Sequence, residues 1–291
     1  MKQESIRKAL EETIGSRIRT IHEVQGGDIG VSLYVEAQDE QYFVKYRDDL
    51  SADVFLCEAE GLAVLQQSGG LSVPAVHYAG AIPGQTGGMI VLEWIERGPK
   101  TDSAEELLGQ GLAAVHRQAS VTGQYGFKQN NYIGVLPQSN RWDSSWVNFY
   151  REQRLLPLIK MAEEQGRLTE IRRKRFRQLL NKLDTYLADE GKPNLLHGDL
   201  WGGNWLADLD RKPILIDPAV YYGNREVELA FTELFGGFSH RFYAAYQEAY
   251  PLLPDYEERK PLYQLYYLMV HLIHFGEAYG PSVDRVLARY T

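Results

Sequence analysis

Residues 195–217, LLHGDLWGGNWLADLDRKPILID, hold three side chains whose types and spacing suit phosphoryl transfer. Asp199 follows a short apolar run through His197-Gly198, and Asn204 lies five residues beyond it. A second apolar run over residues 213–216 delivers Asp217. On the rims of two short strands such a set divides the work: Asp199 handles an acceptor hydroxyl, while Asn204 and Asp217 hold Mg2+ on the phosphates of ATP. Magnesium suits so small a donor set because it keeps several waters and takes one or two carboxylates beside phosphate oxygens.

Such a site needs a nucleotide-binding half, and the residues ahead of it supply candidates. Ile6, Leu10 and Ile14 recur every four residues before Gly15, which predicts an opening amphipathic helix. Gly26, Gly27 and Gly30 follow in a glycine-rich stretch between strands, where backbone N–H groups can approach phosphate closely. A simple turn explains the same glycines, and no Gly-Lys-Ser/Thr follows, so this is not a Walker A loop. VSLYVEA and QYFVKY alternate as strands around a turn at Asp39-Glu40. Lys45 sits mid-strand, and the helix-period stretch DVFLCEAEGLAVLQQ places Glu58 after it. A strand lysine paired with a helix glutamate is the device that aims the lysine at ATP phosphates. Glu60 competes for that pairing; Glu58 is preferred because it precedes Leu62 by four and Leu65 by seven.

The buried strand of residues 89–92 runs into Glu93-Trp94-Ile95. In a two-lobed kinase this is the hinge, so the main chain of Glu93 and Ile95, with Trp94 between, is expected to meet adenine. Pro99 starts the departure into a second lobe, which places the boundary near residue 97. The expected architecture is α+β in two lobes: an antiparallel-sheet nucleotide lobe over residues 1–96 and a larger, mostly helical catalytic and substrate lobe over 97–291.

Beyond the boundary, residues 103–117 form a helix ending at His116-Arg117, where histidine reads as a packing or capping residue. A polar loop, TGQYGFKQNNYIGVLPQSNRWDSSW, combines aromatics with carboxamides, the groups that bind a polyhydroxylated molecule. An Ω-loop held by its own side chains is the competing description. Two helical segments follow, 146–162 with a kink or interruption expected at Pro157, and 169–187. The cluster Arg172-Arg173-Lys174-Arg175 with Arg177 reads as a solvated face, with Ile171, Phe176, Leu179 and Leu180 inward. His271 and His274 lie on the last long helix, where core packing is expected.

The chain has 31 Lys and Arg against 39 Asp and Glu, a net charge of −8, which argues against a broad nucleic-acid or anionic-membrane surface. With Cys57 the one cysteine, no intramolecular disulfide is possible, and its helical setting points to buried packing. The first residues lack the apolar core of a secretory signal, and no run approaches the ~18 apolar residues of a membrane span. A cytoplasmic protein is expected. Oligomeric state stays open, with a monomer as the simplest expectation.

Nearly the whole chain resembles the fructosamine (ketosamine) kinases, within the aminoglycoside-phosphotransferase branch of the protein-kinase-like fold. The resemblance rests on LAAVHR, YGFKQNNYIGVLPQSN, the FYREQRL stretch, LLHGDLWGGN, and Asp217-Pro-Ala-x-Tyr-Tyr-Gly with Arg225-Glu226. Trp201 and Gly202-Gly203 narrow it from small-molecule kinases in general to ketosamine kinases. It implies an ATP- and Mg2+-dependent kinase acting on the 3-hydroxyl of a ketosamine, after which the amine is released, a deglycating repair. By resemblance Asp199 is the proton acceptor, Asn204 and Asp217 the metal ligands, and Lys45 with Glu58 the phosphate-orienting pair. His197 supports the catalytic loop, Trp201 lines the sugar site, and Asn131, Gln138 and Asn140 position the acceptor. Some relatives carry a cysteine in the glycine-rich loop that permits a disulfide between chains. Here Gly26-Gly27-Asp28 stands instead, so that switch is not expected. Other small-molecule kinases, for aminoglycosides or amino alcohols, and a non-catalytic binding module are the alternatives. Residues 123–142 of the acceptor loop carry Lys128 and Arg141 and no carboxylate, which disfavours a polycationic substrate, and intact Lys45, Asp199, Asn204 and Asp217 disfavour the module.

Overall fold

Alternation along the N-terminal strands sets the orientation of the site lysine. The computed structural model describes residues 2–25, 30–38, 40–187 and 191–291, so Gly26, Gly27, Asp28 and the turn residue Asp39 lie outside the described residues. Helix α1 (Lys2–Ile14) is followed by β1 (Ile18–Glu23), β2 (Val31–Ala37), β3 (Glu40–Arg47), α2 (Ala52–Ser68), β4 (Val76–Ala81) and β5 (Gly88–Glu93). The strands form one antiparallel sheet in the order β1-β2-β3-β5-β4. Side chains two apart share a face. Val44 and Val91 therefore turn with Leu33 and Val35 toward Ile6 and Leu10 of α1. Phe43, Ile90 and Leu92 turn to the other face, against Phe55 and Leu62 of α2. Lys45, opposite Ile90, falls on that second face and so points beneath α2.

The remainder is mostly helical. It comprises α3 (Asp102–His116), β6 (Asn131–Ile133), β7 (Leu136–Gln138), α4 (Trp146–Phe149), α5 (Leu156–Glu164), α6 (Glu170–Asn181), α7 (Leu183–Tyr186), β8 (Asn194–Leu196), β9 (Trp205–Ala207), β10 (Pro213–Leu215) and β11 (Tyr221–Gly223). Helices α8 (Arg225–Leu234), α9 (His240–Ala249), α10 (Tyr256–Phe275) and α11 (Gly280–Arg289) complete it. Two-stranded ribbons β8/β11, β9/β10 and β6/β7 sit among the helices. The core runs from Leu108 and Leu112 of α3, through β8, to Leu265, Met269 and Leu272 of α10. Among the described residues no helix is long and apolar enough to cross a membrane.

Two expectations are corrected by packing. The α-helical run of 146–162 is interrupted ahead of Pro157 rather than at it. A wide π turn over Tyr150–Leu155 joins α4 to α5, and Pro157 sits in the first turn of α5, where its missing N–H costs nothing. That turn swings Arg154 into the core. On α6, Ile171 points to solvent and Arg172 is the buried residue, its guanidinium 2.8 and 2.9 Å from Asp284 and Glu277. A guanidinium can be buried when planar carboxylates satisfy its N–H fork, so the basic run is not wholly a solvated face.

Candidate active site

Three short, fully buried or nearly buried strand segments bring the reacting groups to one rim. Strand β8 ends at Leu196, just before His197, and its ladder with β11 (Leu196 opposite Tyr221) anchors the loop that follows. Gly198 adopts φ +86°, and a Cβ there would stand 2.0 Å from the Ala219 carbonyl oxygen. Only glycine permits that approach. At Gly203 the missing Cβ makes room for the Trp201 ring, which folds over it at a distance where a Cβ would stand 2.4 Å from the indole. The WGGN turn thus sets Trp201 against its own backbone, leaving it 37% exposed at the cavity wall.

His197 ties the two carboxylate-bearing segments together. Its Nε2 lies 2.8 Å from the Ile216 carbonyl and its Nδ1 accepts the Asp199 N–H at 3.2 Å, which defines the Nε2-protonated neutral tautomer. Burial lowers its pKa below the ordinary value, in keeping with a neutral ring. Asn204 Nδ2 donates to the Asp199 carbonyl at 2.7 Å and to Asp199 Oδ2 at 3.2 Å. The carboxamide nitrogen is spent, so its oxygen faces outward. Asp217, delivered by β10, holds a left-handed backbone at φ +56°, a strained conformation for a non-glycine residue.

Lys45 is 4% exposed and its Nζ lies 2.7 Å from Glu58 and 2.5 Å from Asp217. Burial pulls its pKa down, but Asp217 and Glu58 together more than offset this, so the ammonium is held charged. Burial raises the Glu58 carboxyl, with Asp217 adding to it and Lys45 opposing. Glu60 turns away and pairs with Lys128. Cys57, beside Glu58, lines the same cavity, and burial pushes its thiol up to about 11, an unreactive range.

Three cavities meet here. The first is lined by Lys45, Glu58, Asp199, Asn204 and Asp217. The second, narrow and mainly apolar, lies between Phe43, Leu92, Leu206 and Ile216 and is bordered by Glu93, Trp94 and Ile95. There the Glu93 N–H is taken by the Ala75 carbonyl at 2.8 Å and the Trp94 N–H by Gln41 at 3.2 Å. The third, ≈ 440 Å3, opens beside Asp199 and Trp201 and is walled by Phe231, Phe235, His271 and Tyr279. His271 and His274 therefore border a cavity rather than only packing in the core. An Asp carboxylate with one outward carboxamide oxygen suits a hard divalent ion bridged to phosphates. Among the described residues no group of three His, Cys, Asp or Glu gathers as a self-sufficient metal cage.

Of the three loop carboxamides, Gln138 and Asn140 are corrected, whereas Asn131 borders the cavity that also holds Asp199 and Trp201. Gln138 is 3% and Asn140 1% exposed, and neither lines the cavity beside Asp199. Gln138 Nε2 donates to Asn131 Oδ1 at 2.8 Å and Asn140 Nδ2 donates to the same oxygen at 2.8 Å. Asn131 borders the Lys45 cavity, yet its Nδ2 is committed to the Val220 carbonyl at 2.9 Å. Aromatics and carboxamides coexist in this loop because the carboxamides satisfy buried backbone, not because they face a polyol.

Sequence reasoning missed Glu228, which lies fully buried on α8. Its carboxylate accepts from the His197 N–H at 3.0 Å, the Gly198 N–H at 2.6 Å and His116 Nε2 at 2.8 Å. His116 Nδ1 in turn meets the Tyr246 hydroxyl at 2.7 Å. The available signal was a carboxylate inside a helix with apolar neighbours, Val227 and Leu229. Burial lowers the pKa of His116 as it does that of His197. Both imidazoles titrate lower folded than unfolded, so the unfolded chain takes up protons first on acidification. Their contribution is complete above about pH 6.5, the unfolded value, and is lost as pH falls through the folded values. The melting temperature is accordingly expected to drop from about pH 7 toward pH 5. A flat profile there would show that neither ring resists protonation.

A family model for fructosamine kinases matches residues 1–291. The chain belongs to this family. It is 41% identical over 275 residues to a “probable ketoamine kinase” of Lactiplantibacillus plantarum, covering 94% of this chain and 95% of that one. It is 34% identical over 292 residues to the chloroplastic protein-ribulosamine 3-kinase of Arabidopsis thaliana, covering 100% and 88%. A crystal structure of a Thermobifida fusca protein assigned as a fructosamine-3-kinase superposes with a TM-score of 0.86 at 34% identity, covering 98% and 99%. The aminoglycoside phosphotransferase APH(4)-Ia superposes at 0.67 with 16% identity, covering 99% of each chain. That likeness speaks for the fold alone, which is the two-lobed protein-kinase-like one.

Proposed function

We propose that this family member is an ATP-dependent kinase for the 3-hydroxyl of ketosamines, with residues 1–96 as nucleotide lobe and 97–291 as catalytic and substrate lobe. The observation that carries the reading is the aromatic cavity beside Asp199. Among the described residues its lining contains Asp199 as the single carboxylate, with Arg47 as a cation at one side and the rings of Trp201, Phe235, His271 and Tyr279. A ketosamine carries one ammonium and a polyol, which aromatic faces receive through cation–π and CH contacts. An aminoglycoside presents several ammonium groups, which call for several carboxylates. The relatives' names, ketoamine kinase and protein-ribulosamine 3-kinase, point the same way.

In this reading the narrow apolar slot takes adenine, against the Glu93 carbonyl and the Ile95 N–H, with Trp94 at its border. Lys45, aimed by Glu58, steadies the phosphates. Asn204 and Asp217 hold Mg2+, which when bound neutralises charge on the transferring phosphoryl group. Asp199 orients the acceptor hydroxyl and takes its proton as the new P–O bond forms and the bond to ADP breaks. Positioning and charge neutralisation supply most of the catalysis, so a strongly basic Asp199 is not required. A cytoplasmic location, where ATP is supplied, is part of the same reading.

The test is a panel of ribulosamine, fructosamine and an aminoglycoside, scored by ATP consumption and by detection of the 3-phosphate. Turnover is expected with the ketosamines and none above background with the aminoglycoside. Preference for the aminoglycoside would overturn the reading.

A further inference from the structure

One loop contacts both α2 and the segment that follows Asp217. On one side it holds α2, the helix that carries Glu58. Lys128 pairs with Glu60, the Cys57 thiol lies 3.7 Å from the Asn130 carbonyl, and the Tyr132 hydroxyl donates to Asp53 at 3.0 Å. Asp53, Cys57 and Glu60 recur at intervals of four and three, so these contacts run along a single stripe of the helix.

On its other side the same loop holds the chain just after Asp217. Asn131 Nδ2 donates to the Val220 carbonyl at 2.9 Å and Gln138 Nε2 to the Ala219 carbonyl at 3.2 Å. Gly126 and Tyr222 exchange backbone hydrogen bonds at 2.8 and 2.9 Å. The carboxamides are themselves fixed from behind. The Tyr266 hydroxyl donates to Gln138 Oε1 at 2.6 Å, and buried Arg154 donates to Asn140 Oδ1 at 2.8 Å while its guanidinium stacks 3.9 Å from the Tyr221 ring centre. Helix and segment also touch directly, since a Cβ on Gly61 would stand 3.0 Å from Pro218.

Lys45 needs Glu58 on α2, and the metal site needs Asp217 in its strained conformation. Resting on the proposed kinase reading, we propose that residues 126–140 are a clamp that fixes both at once. Asn131, Gln138 and Tyr132 are then positioning residues for the nucleotide–metal site, and the site is assembled without an activating modification or partner. The carboxamides of Asn131, Gln138 and Asn140 each use both nitrogen and oxygen, which favours one arrangement, and every hydrogen bond named here ends on the loop itself, on α2, on the 217–222 segment or on their supports.

The two roles separate by experiment. Binding of the non-hydrolysable analogue AMP-PNP to the full chain is titrated with Mg2+ in the absence of any acceptor, for wild type, Asn131→Ala and Tyr132→Phe. Asn131→Ala is expected to raise the Mg2+ needed for half-maximal binding by about tenfold or more, the range for groups that orient metal ligands. Tyr132→Phe, which removes one partly exposed hydrogen bond, is expected to raise it by about two- to fivefold. The KM for ketosamine is expected to be unchanged in both. If Asn131→Ala does not fold, Tyr132→Phe decides alone. An unchanged Mg2+ titration overturns the clamp, whatever happens to KM. The acceptor-free readout stands even where the ketosamine assignment fails, so the two failures are distinguishable.

Discussion

Asp199→Asn is expected to lower kcat by about 10^2- to 10^4-fold, the usual weight of a positioned proton acceptor, while nucleotide affinity is unchanged. The substitution is isosteric and the contacts that place the residue are mostly backbone. The Asp199 N–H still reaches His197 Nδ1 and the Asp199 carbonyl still accepts from Asn204. Lys45, Glu58 and Asp217 form their own cluster, in which Lys45 contacts Asp217 at 2.5 Å, so the phosphate side keeps its charge balance. What is lost is an anionic oxygen facing the acceptor. A rise in KM with kcat unchanged would instead mean that Asp199 binds the substrate equally in ground and transition states. Single-turnover measurement of phosphate transfer alongside AMP-PNP binding separates the cases. Activity within about tenfold of wild type would remove Asp199 from proton transfer altogether.

How much of this was readable depended on whether a residue's role is local. Phe43 and Lys45 share a face by alternation. With Val44 and Tyr46 also apolar, the pattern does not say which face meets the site, and an isolated lysine would be read as outward; the pairing with Glu58 decides it. His197-Gly198-Asp199 is a local device, since the glycine's left-handed backbone is needed where the chain meets Ala219. The distinction between Glu58 and Glu60 also follows from helix geometry. The carboxamides of Asn131, Gln138 and Asn140 are different, because residue type reports hydrogen-bonding capacity and not its partner. The backbone they satisfy, Ala219 and Val220, lies some eighty to ninety residues away. Burial of Arg172 is invisible for the same reason: its carboxylates, Glu277 and Asp284, arrive from the far end of the chain. The aromatic cavity is assembled from α8, α10 and the WGGN turn, so His271 looked like core until those elements met.

Glu228 shows what that long-range assembly does for catalysis, and Glu228→Ala is expected to be the most destabilising single change near the site. Three donors converge on its carboxylate, from the His197 and Gly198 backbone and from the His116 ring, all fully out of solvent. Burial acts against the charge, yet the hydrogen bond from His116 and the surrounding donors win, and the carboxyl is held below its ordinary pKa. Each orphaned donor costs about 1–3 kcal/mol, so a loss of several kcal/mol in denaturant unfolding is expected. Glu228→Gln sharpens the test, because it keeps the shape. Its amide must turn an NH2 toward either Gly198 or the two histidines, setting donor against donor where a carboxylate accepts on both oxygens. The loop carrying Asp199 then loses one anchor while the core stays filled. A kcat loss on the order of 10^2-fold with the chain still folded is expected, the cost of a small misplacement of a reacting group. Should Glu228→Gln keep both wild-type melting temperature and kcat, the carboxylate would be filler, and the alignment of Asp199 would rest on His197 alone.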